Sequence, residues 1–312
     1  MHTFELSSKR IHIDEVMYNS LMALTAQNSD SVKIKMEPCN TTFITQKNEW
    51  VYFILQVDCL ALLQKRNVLK KVQIQTIKDT VNKFLFPSGT CVDDYKVIRV
   101  DYCRNIYLPN TKIRKCLFEL LNKMPANTNY LRQEKNYIGE NVEYPMGSLR
   151  KNKSRALQIY DKSTERKDKT KEIKPYEKYV IRLEYQMKPE GLKYRRKADG
   201  VPDTFDYWIN LDTEKRYLKL AGKMFPKAEF WSYDKAVDII NSSDYKPTMK
   251  VKLIKYITEI SRVESMDEVS PSLGSQQTIK GYIKRLEAIN VNPVTIPNAK
   301  GIDHIRNPLA IR

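Results

Sequence analysis

Histidine is scarce in this chain, with His2, His12 and His304 the only three among 312 residues. Histidine-ligated zinc is therefore nearly excluded, and any metal chemistry must rest on carboxylates, which favour hard ions such as Mg2+ or Mn2+. The five cysteines, Cys39, Cys59, Cys91, Cys103 and Cys116, form an odd set with no C-x-x-C pair. That pattern suits neither a disulfide framework nor a zinc cluster, and buried thiols are expected. No stretch reaches the roughly 18–20 apolar residues needed to span a bilayer; the longest candidate, Trp50 to Leu63, is interrupted by Gln56 and Asp58. The start of the chain, Met1 to Arg10, lacks the cationic start, apolar run and cleavage site of a secretory signal, so a cytoplasmic protein without a membrane partner is expected. No internal repeat or long low-complexity tract is visible, and 41% hydrophobic residues is a globular composition.

What is abundant is positive charge. Lysine and arginine number 54 against 37 acids, a formal +17. An excess of that size marks a polyanionic partner, with nucleic acid ahead of an anionic membrane surface. Residues 150–197 hold 17 Lys/Arg and 7 Asp/Glu, so +10 of the +17 falls in that segment, and the partner is expected along it. At this length two unequal domains are expected: residues 1–240 around a core at 96–188, then residues 241–312 as a helical module.

Hydrophobic spacing outlines the elements. Ile13 to Gln27 is spaced as a helix, while Val32, Ile34 and Met36 alternate with charged residues as in a strand. Glu49 to Val57 reads as a buried strand, and Ile74, Ile77, Val81, Phe84 and Leu85 predict a helix that stops at Pro87-Ser88-Gly89. Tyr95 to Tyr107 alternates again, and Asn110 or Thr111 is placed to cap a helix running to Met124. Asn127 to Gly147 reads as polar loop. Strands are predicted at Arg155 to Asp161 and Tyr179 to Lys188, with a charged helix or arm between them, and residues 193–231 give no firm pattern. Helices follow from Pro247 to about Val263 and from Ser275 to about Ile289, separated by a Ser/Pro/Gly turn. The expected class is α+β, an antiparallel sheet with flanking helices and a C-terminal helical module.

Residues two apart in a strand share a face. Arg99 and Asp101 thus oppose Ile98, Val100 and Tyr102; Gln158 and Tyr160 oppose Leu157 and Ile159; Arg182 and Glu184 oppose Ile181, Leu183 and Tyr185. Asp101, Tyr160 and Glu184 are candidates to meet on one presented face. A tyrosine hydroxyl among carboxylates in a basic protein suits attack on a DNA phosphate, with a divalent ion on Asp101 and Glu184 positioning it and Lys162 adding charge. A polar outer face is also the ordinary condition of an antiparallel sheet, so the pattern admits a purely structural reading.

Three short motifs carry a resemblance: Arg99-Val100-Asp101, then Ile159-Tyr160-Asp161-Lys162 with Glu165, then Ile181-Arg182-Leu183-Glu184 closing at Met187-Lys188. In this order the chain resembles rolling-circle replication initiators, of the Rep_trans plasmid kind and the related filamentous-phage gene II type. The resemblance covers Lys96 to Lys188. It departs from the many initiators that carry a His-hydrophobic-His metal motif, for which His12-Ile13-Asp14 is only a superficial approach. The resemblance implies a bacterial, plasmid- or phage-encoded nickase that forms a 5′ phosphotyrosine link. It implies Tyr160 as nucleophile, Asp101 and Glu184 as ligands of Mg2+ or Mn2+, and Lys162, Arg182 and Glu165 as supporting groups. Tyr144, Tyr176, Tyr179 and Tyr185 remain alternative nucleophiles. Its partners would be origin DNA, double-stranded with a single-stranded or hairpin nick site, together with a host helicase and a second copy of the chain.

Arg150, Lys151, Lys153 and Arg155 run into the Tyr160 strand and are expected to touch phosphates. Thr278 to Leu286 with Ile289 to Pro293 also resembles the end of gene II type proteins, and Lys280, Lys284 and Arg285 would line a DNA-facing helix there. Both basic sets are otherwise simply solvated surface. Two competing readings stand beside the nickase: an origin-binding regulator that does not cut, and an RNA-binding protein, which accounts for the charge but not for the tyrosine and carboxylate strands.

Overall fold

The strand-like alternation and the helical spacing are both realised: the computed structural model is an α+β protein. It describes residues 3–9, 11–12, 14–16, 19, 31–36, 39–46, 50–63, 71–85, 89–125, 127–128, 131–134, 146–169, 171–173, 175–223, 225–269 and 273–310. The first strands are β1 (Thr3–Ser7), β2 (Ile11–His12), β3 (Ser31–Met36), β4 (Cys39–Gln46) and β5 (Trp50–Asp58). Helices α1 (Cys59–Leu62) and α2 (Lys71–Leu85), strand β6 (Lys96–Tyr107) and helix α3 (Thr111–Lys123) follow. Then come β7 (Asn127–Thr128), β8 (Leu131–Glu134), β9 (Gly147–Lys151), β10 (Arg155–Asp161), helix α4 (Lys162–Asp168) and β11 (Val180–Met187). The remainder comprises α5 (Pro189–Asp199), α6 (Phe205–Trp208), α7 (Leu211–Gly222), β12 (Phe230–Trp231), α8 (Tyr233–Asn241), α9 (Pro247–Arg262), α10 (Gln276–Ala288) and β13 (His304–Ile305).

The chain divides into two units discontinuous in sequence. The first holds residues 1–104, 153–155 and 184–217, the second 105–152, 156–183 and 218–312, so β6 and β11 contribute residues to both. In the first unit the strand order is β3-β4-β5-β1-β6-β11, with β2 against β5. β1 lies antiparallel between β5 and β6, pairing Phe4 with Val57 and Val100, and Leu6 with Leu55 and Val97. These side chains are buried with Ile77 and Val81 of α2, the inward stripe that the helical spacing predicted. Tyr102 stacks on Tyr217 at 5.7 Å and donates its hydroxyl to the Trp208 carbonyl at 2.9 Å, which satisfies a phenol that is otherwise fully buried. Gly191, in the first turn of α5, lies against the Ser154 carbonyl, where a Cβ would come within 2.2 Å of the oxygen. Only glycine allows that approach.

In the second unit the order is β11-β10-β9-β8-β7. β9 and β10 pair antiparallel from Ala156 and Lys151 to Tyr160 and Gly147. Asn110 is the N-cap of α3, accepting the Ile113 N–H at 3.1 Å, and Leu117, Leu120 and Leu121 are its buried face. Residues expected as loop between Asn127 and Gly147 include the strands β7 and β8; a stretch with so little apolar alternation gives no strand signal, and the pairing comes from the neighbouring edge instead. The helices after Pro247 and Ser275 form as the spacing predicted, with Ser275 accepting the Thr278 N–H at 3.3 Å. The C-terminal stretch is not helical alone: β13 pairs with β12, and Asn307 joins through its side-chain amide to the Pro226 and Ala228 carbonyls. Cys59 and Cys116 are buried as expected, whereas Cys91 and Cys103 are half-buried. The helix read at Ile13 to Gln27 lies almost wholly outside the described residues. Among those described, no helix is long and apolar enough to cross a membrane.

Candidate active site and basic surface

In the first unit the register of β1 puts Glu5 opposite both Gln56 and Arg99. The result is a polar row across three strands. Gln56 donates to Glu5 at 3.0 Å, and Arg99 donates to Glu5 at 2.8 Å. The Arg99 fork also grips Asp101 in two places, Nε to Oδ1 at 3.0 Å and Nη2 to Oδ2 at 2.6 Å. Asp101 is only 3% exposed and Glu184 only 8%. Burial raises the Asp101 carboxyl above its usual range, the Glu184 charge adds to the rise, and Arg99 and Gln186 oppose it. Among the described residues no group of three metal-ligating side chains is assembled. Two carboxylates completed by water and a substrate phosphate are a common donor set for Mg2+, and Asp101 and Glu184 are the two carboxylates that would contribute to one here. In the structure the cation beside Asp101 is Arg99.

In the second unit Tyr160 is the penultimate residue of β10, one residue before the Asp161 N-cap of α4. Its ring is 4% exposed, and the Lys162 ammonium lies 5.6 Å from the ring centroid. Lys162 donates to Glu165 at 2.8 Å, and Lys169 donates to the other Glu165 oxygen at 2.5 Å. Burial, with the nearby Arg182 charge, lowers the Lys162 ammonium although Glu165 pulls it up. Burial alone would raise Glu165, but the two lysines hold its carboxyl at about 2. The pair is thus an ionised carboxylate beside an ammonium that burial makes easier to deprotonate. Arg182, 2% exposed, donates Nε to Asn105 at 2.8 Å.

The sequence expected these polar faces to be presented, and here the structure differs. Asp101, Tyr160, Lys162, Glu165, Arg182 and Glu184 are all buried. Alternation identifies the two faces of a strand, but it carries no information on whether a second layer covers the polar one. The units divide the set: Asp101 and Glu184 belong to the first, Tyr160, Lys162, Glu165 and Arg182 to the second. Of the alternative tyrosines, Tyr179 is exposed, Tyr185 is buried with its hydroxyl 3.4 Å from Arg155, and Tyr144 lies outside the described residues.

Among the basic residues Arg150 requires a correction. It is 1% exposed and lies 5.1 Å from the Phe225 ring centroid. Its guanidinium donates to the carbonyls of Leu121 (3.2 Å), Met124 (3.3 Å) and Pro125 (3.1 Å) and to the Ser148 hydroxyl (2.7 Å). These carbonyls belong to the end of α3, so Arg150 caps a helix C-terminus and is not available to a phosphate. Lys151 and Lys153 are exposed, and Arg155 is half-buried. On α10, Lys280 and Lys284 are exposed and line a cleft of about 940 Å³ together with Gln276, Gln277 and Lys223. Lys223 falls in the region that sequence spacing left unread, and only the fold brings it beside α10. Arg285 is exposed too, but it turns back onto the Gly281 carbonyl at 3.1 Å. Compared with models of known protein families and with curated proteins, the chain matches none.

Proposed function

We propose that this protein initiates rolling-circle replication by nicking one strand of an origin through Tyr160 and later rejoining it. The observation that supports the reading is the surrounding of Tyr160, a tyrosine at a strand end under the Lys162 ammonium, with Glu165 and Arg182 buried in the same unit. In the proposed step the Tyr160 oxygen bonds to phosphorus as the P–O3′ bond breaks. The phenol proton leaves to solvent, the departing 3′ oxygen takes up a proton, and the phosphate stays on the protein as a 5′ phosphotyrosine. Lys162 and Arg182 offset charge on the crowded phosphorane. Glu165, ionised, holds Lys162 in place. Asp101 and Glu184, which belong to the first unit, would hold a divalent ion there. Lys151, Lys153, Lys280 and Lys284 would contact the DNA backbone.

The experiment is a denaturing gel of the purified protein mixed with Mn2+ and labelled single-stranded or supercoiled DNA from its own replicon. A protein-linked DNA that disappears in Tyr160→Phe supports the reading and its nucleophile together. An adduct that survives moves the role to another tyrosine. A second reading, an origin-binding regulator that does not cut, is favoured by two separate observations: the Tyr160 ring is buried in the second unit, and in the first unit Arg99 occupies both oxygens of Asp101. Tight binding without any adduct would decide for the regulator.

A further inference from the structure

One pair of side chains in the second unit has no part in the proposed transesterification. Tyr107, the last residue of β6, and Tyr179, directly before β11, are 66% and 43% exposed. Their ring centroids are 6.2 Å apart with planes at 76°, an edge-to-face pair that leaves much of each ring in solvent. Tyr179 has φ +64°, a left-handed conformation that is a genuine outlier for a bulky residue. Its position is held from two sides. The Leu108 N–H donates to the Tyr179 carbonyl at 2.8 Å, and the Arg114 guanidinium lies 5.2 Å from the ring centroid. Arg114 is itself fixed by Asp161 at 3.1 Å and by the Leu108 carbonyl at 2.6 Å. Asp161 follows Tyr160 in the chain, so the side chain that supports the exposed ring also anchors the strand end carrying the proposed nucleophile.

We infer that Tyr107 and Tyr179 form a stacking platform for unpaired bases of single-stranded DNA. Solvent-exposed aromatics held rigidly, one at the expense of backbone strain, offer flat faces to a planar partner at little entropic cost. Bases of a single strand present such faces, whereas bases in a duplex have theirs covered by their neighbours. Lys178, exposed beside Tyr179, and the basic segment that contains both supply complementarity to a polyanion. The inference rests on the nucleic-acid part of the proposed function and not on cleavage.

The test is fluorescence anisotropy with a labelled oligo-dT, an abasic oligonucleotide of the same length, a duplex and an oligo-rU, with no metal added. Tyr107→Ala and Tyr179→Gly should each weaken oligo-dT binding by about five- to a hundredfold, the loss that a base–aromatic stack gives on truncation. Binding of the abasic strand and of the duplex should stay unchanged, and Tyr107→Trp should restore oligo-dT binding. Tyr179→Gly removes the ring while suiting the left-handed backbone, so its thermal stability should not fall with its affinity. Oligo-dT affinity within about twofold of wild type in both variants overturns the platform, as does an equal loss on the abasic strand. A parallel loss on oligo-rU supports base stacking on either sugar, and a loss confined to oligo-rU overturns the DNA assignment. Absence of a covalent adduct in the cleavage assay, with stacking intact, would remove the nicking reading and leave this one standing.

Discussion

Arg114 and Asp161 form a buried ion pair, Nε to Oδ2 at 3.1 Å, that ties helix α3 to the end of β10. The other Asp161 oxygen accepts the N–H of Thr164 at 2.8 Å and its hydroxyl at 3.1 Å. One carboxylate therefore serves as counter-ion to an arginine and as N-cap of α4. Removing one member of a buried pair leaves an uncompensated charge, which costs about 3–5 kcal/mol. We expect Asp161→Ala to lose that and the cap as well. Asp161→Asn, which keeps a capping oxygen, should be milder by about 1 kcal/mol. Urea unfolding midpoints of the two variants measure the difference; equal losses would show that Asp161 does not cap α4.

The same residues show where the sequence is legible. Asn110 and the leucines of α3 could be read because a cap and a 3.6-residue stripe are local signals, and β6, β10 and β11 could be read because alternation is local too. The roles of Arg114 and Arg150 could not be read. Both look like surface charge in a basic chain, and each is placed by carbonyls or a carboxylate distant in sequence. Burial of Tyr160 is hidden for the same reason, since strand alternation separates two faces without saying that both are covered. Within residues 193–231, α6 has one turn, too short for a helical stripe, and it is held by Phe205 against Phe4 rather than by its own periodicity.

Arg150 and Lys280 should behave oppositely although both are basic residues in the second unit. Arg150→Met leaves the terminal carbonyls of α3 without their donor and should destabilise the fold by about 2 kcal/mol, with the salt dependence of DNA binding unchanged. Lys280→Ala should leave stability within about 0.5 kcal/mol. It should also reduce the slope of log K against log salt by about 0.9 if one duplex phosphate contact is lost. Chemical denaturation and a salt titration of DNA affinity check both halves, and an unchanged slope in Lys280→Ala would remove α10 from the DNA interface.

Arg99 forms ion pairs with both Glu5 and Asp101, so Arg99→Met should change how stability depends on pH. Asp101 already has a raised carboxyl, and loss of Arg99 raises it further. A group whose folded pKa lies above its unfolded value stabilises below the unfolded pKa, and that contribution is lost as pH rises through the folded one. The variant should therefore lose stability relative to wild type as pH rises from about 4 towards neutrality. Thermal melts across that range measure it, and a deficit independent of pH would show that the Arg99 contribution is packing rather than charge.

Glu165 has the opposite sign. Its carboxyl is held at about 2 against a usual value of 4.5, so its contribution is fully present above 4.5 and is lost as pH falls through about 2. At about 1.4 kcal/mol for each pKa unit the contribution is at most about 3.5 kcal/mol. Lys162 is shifted down as well, so burying its ammonium costs stability at every pH below its usual value, and this cost does not change across the acid window. The part of the acid loss between pH 4.5 and 2 that comes from Glu165 should be absent in Glu165→Gln. That variant leaves Lys162 with a weaker partner, so it should be less stable than wild type at neutral pH and should approach it as the acid limb removes the wild-type advantage. Urea unfolding at a series of pH values follows both curves, and parallel curves from pH 5 to 2 would show that Glu165 is not held ionised by Lys162 and Lys169.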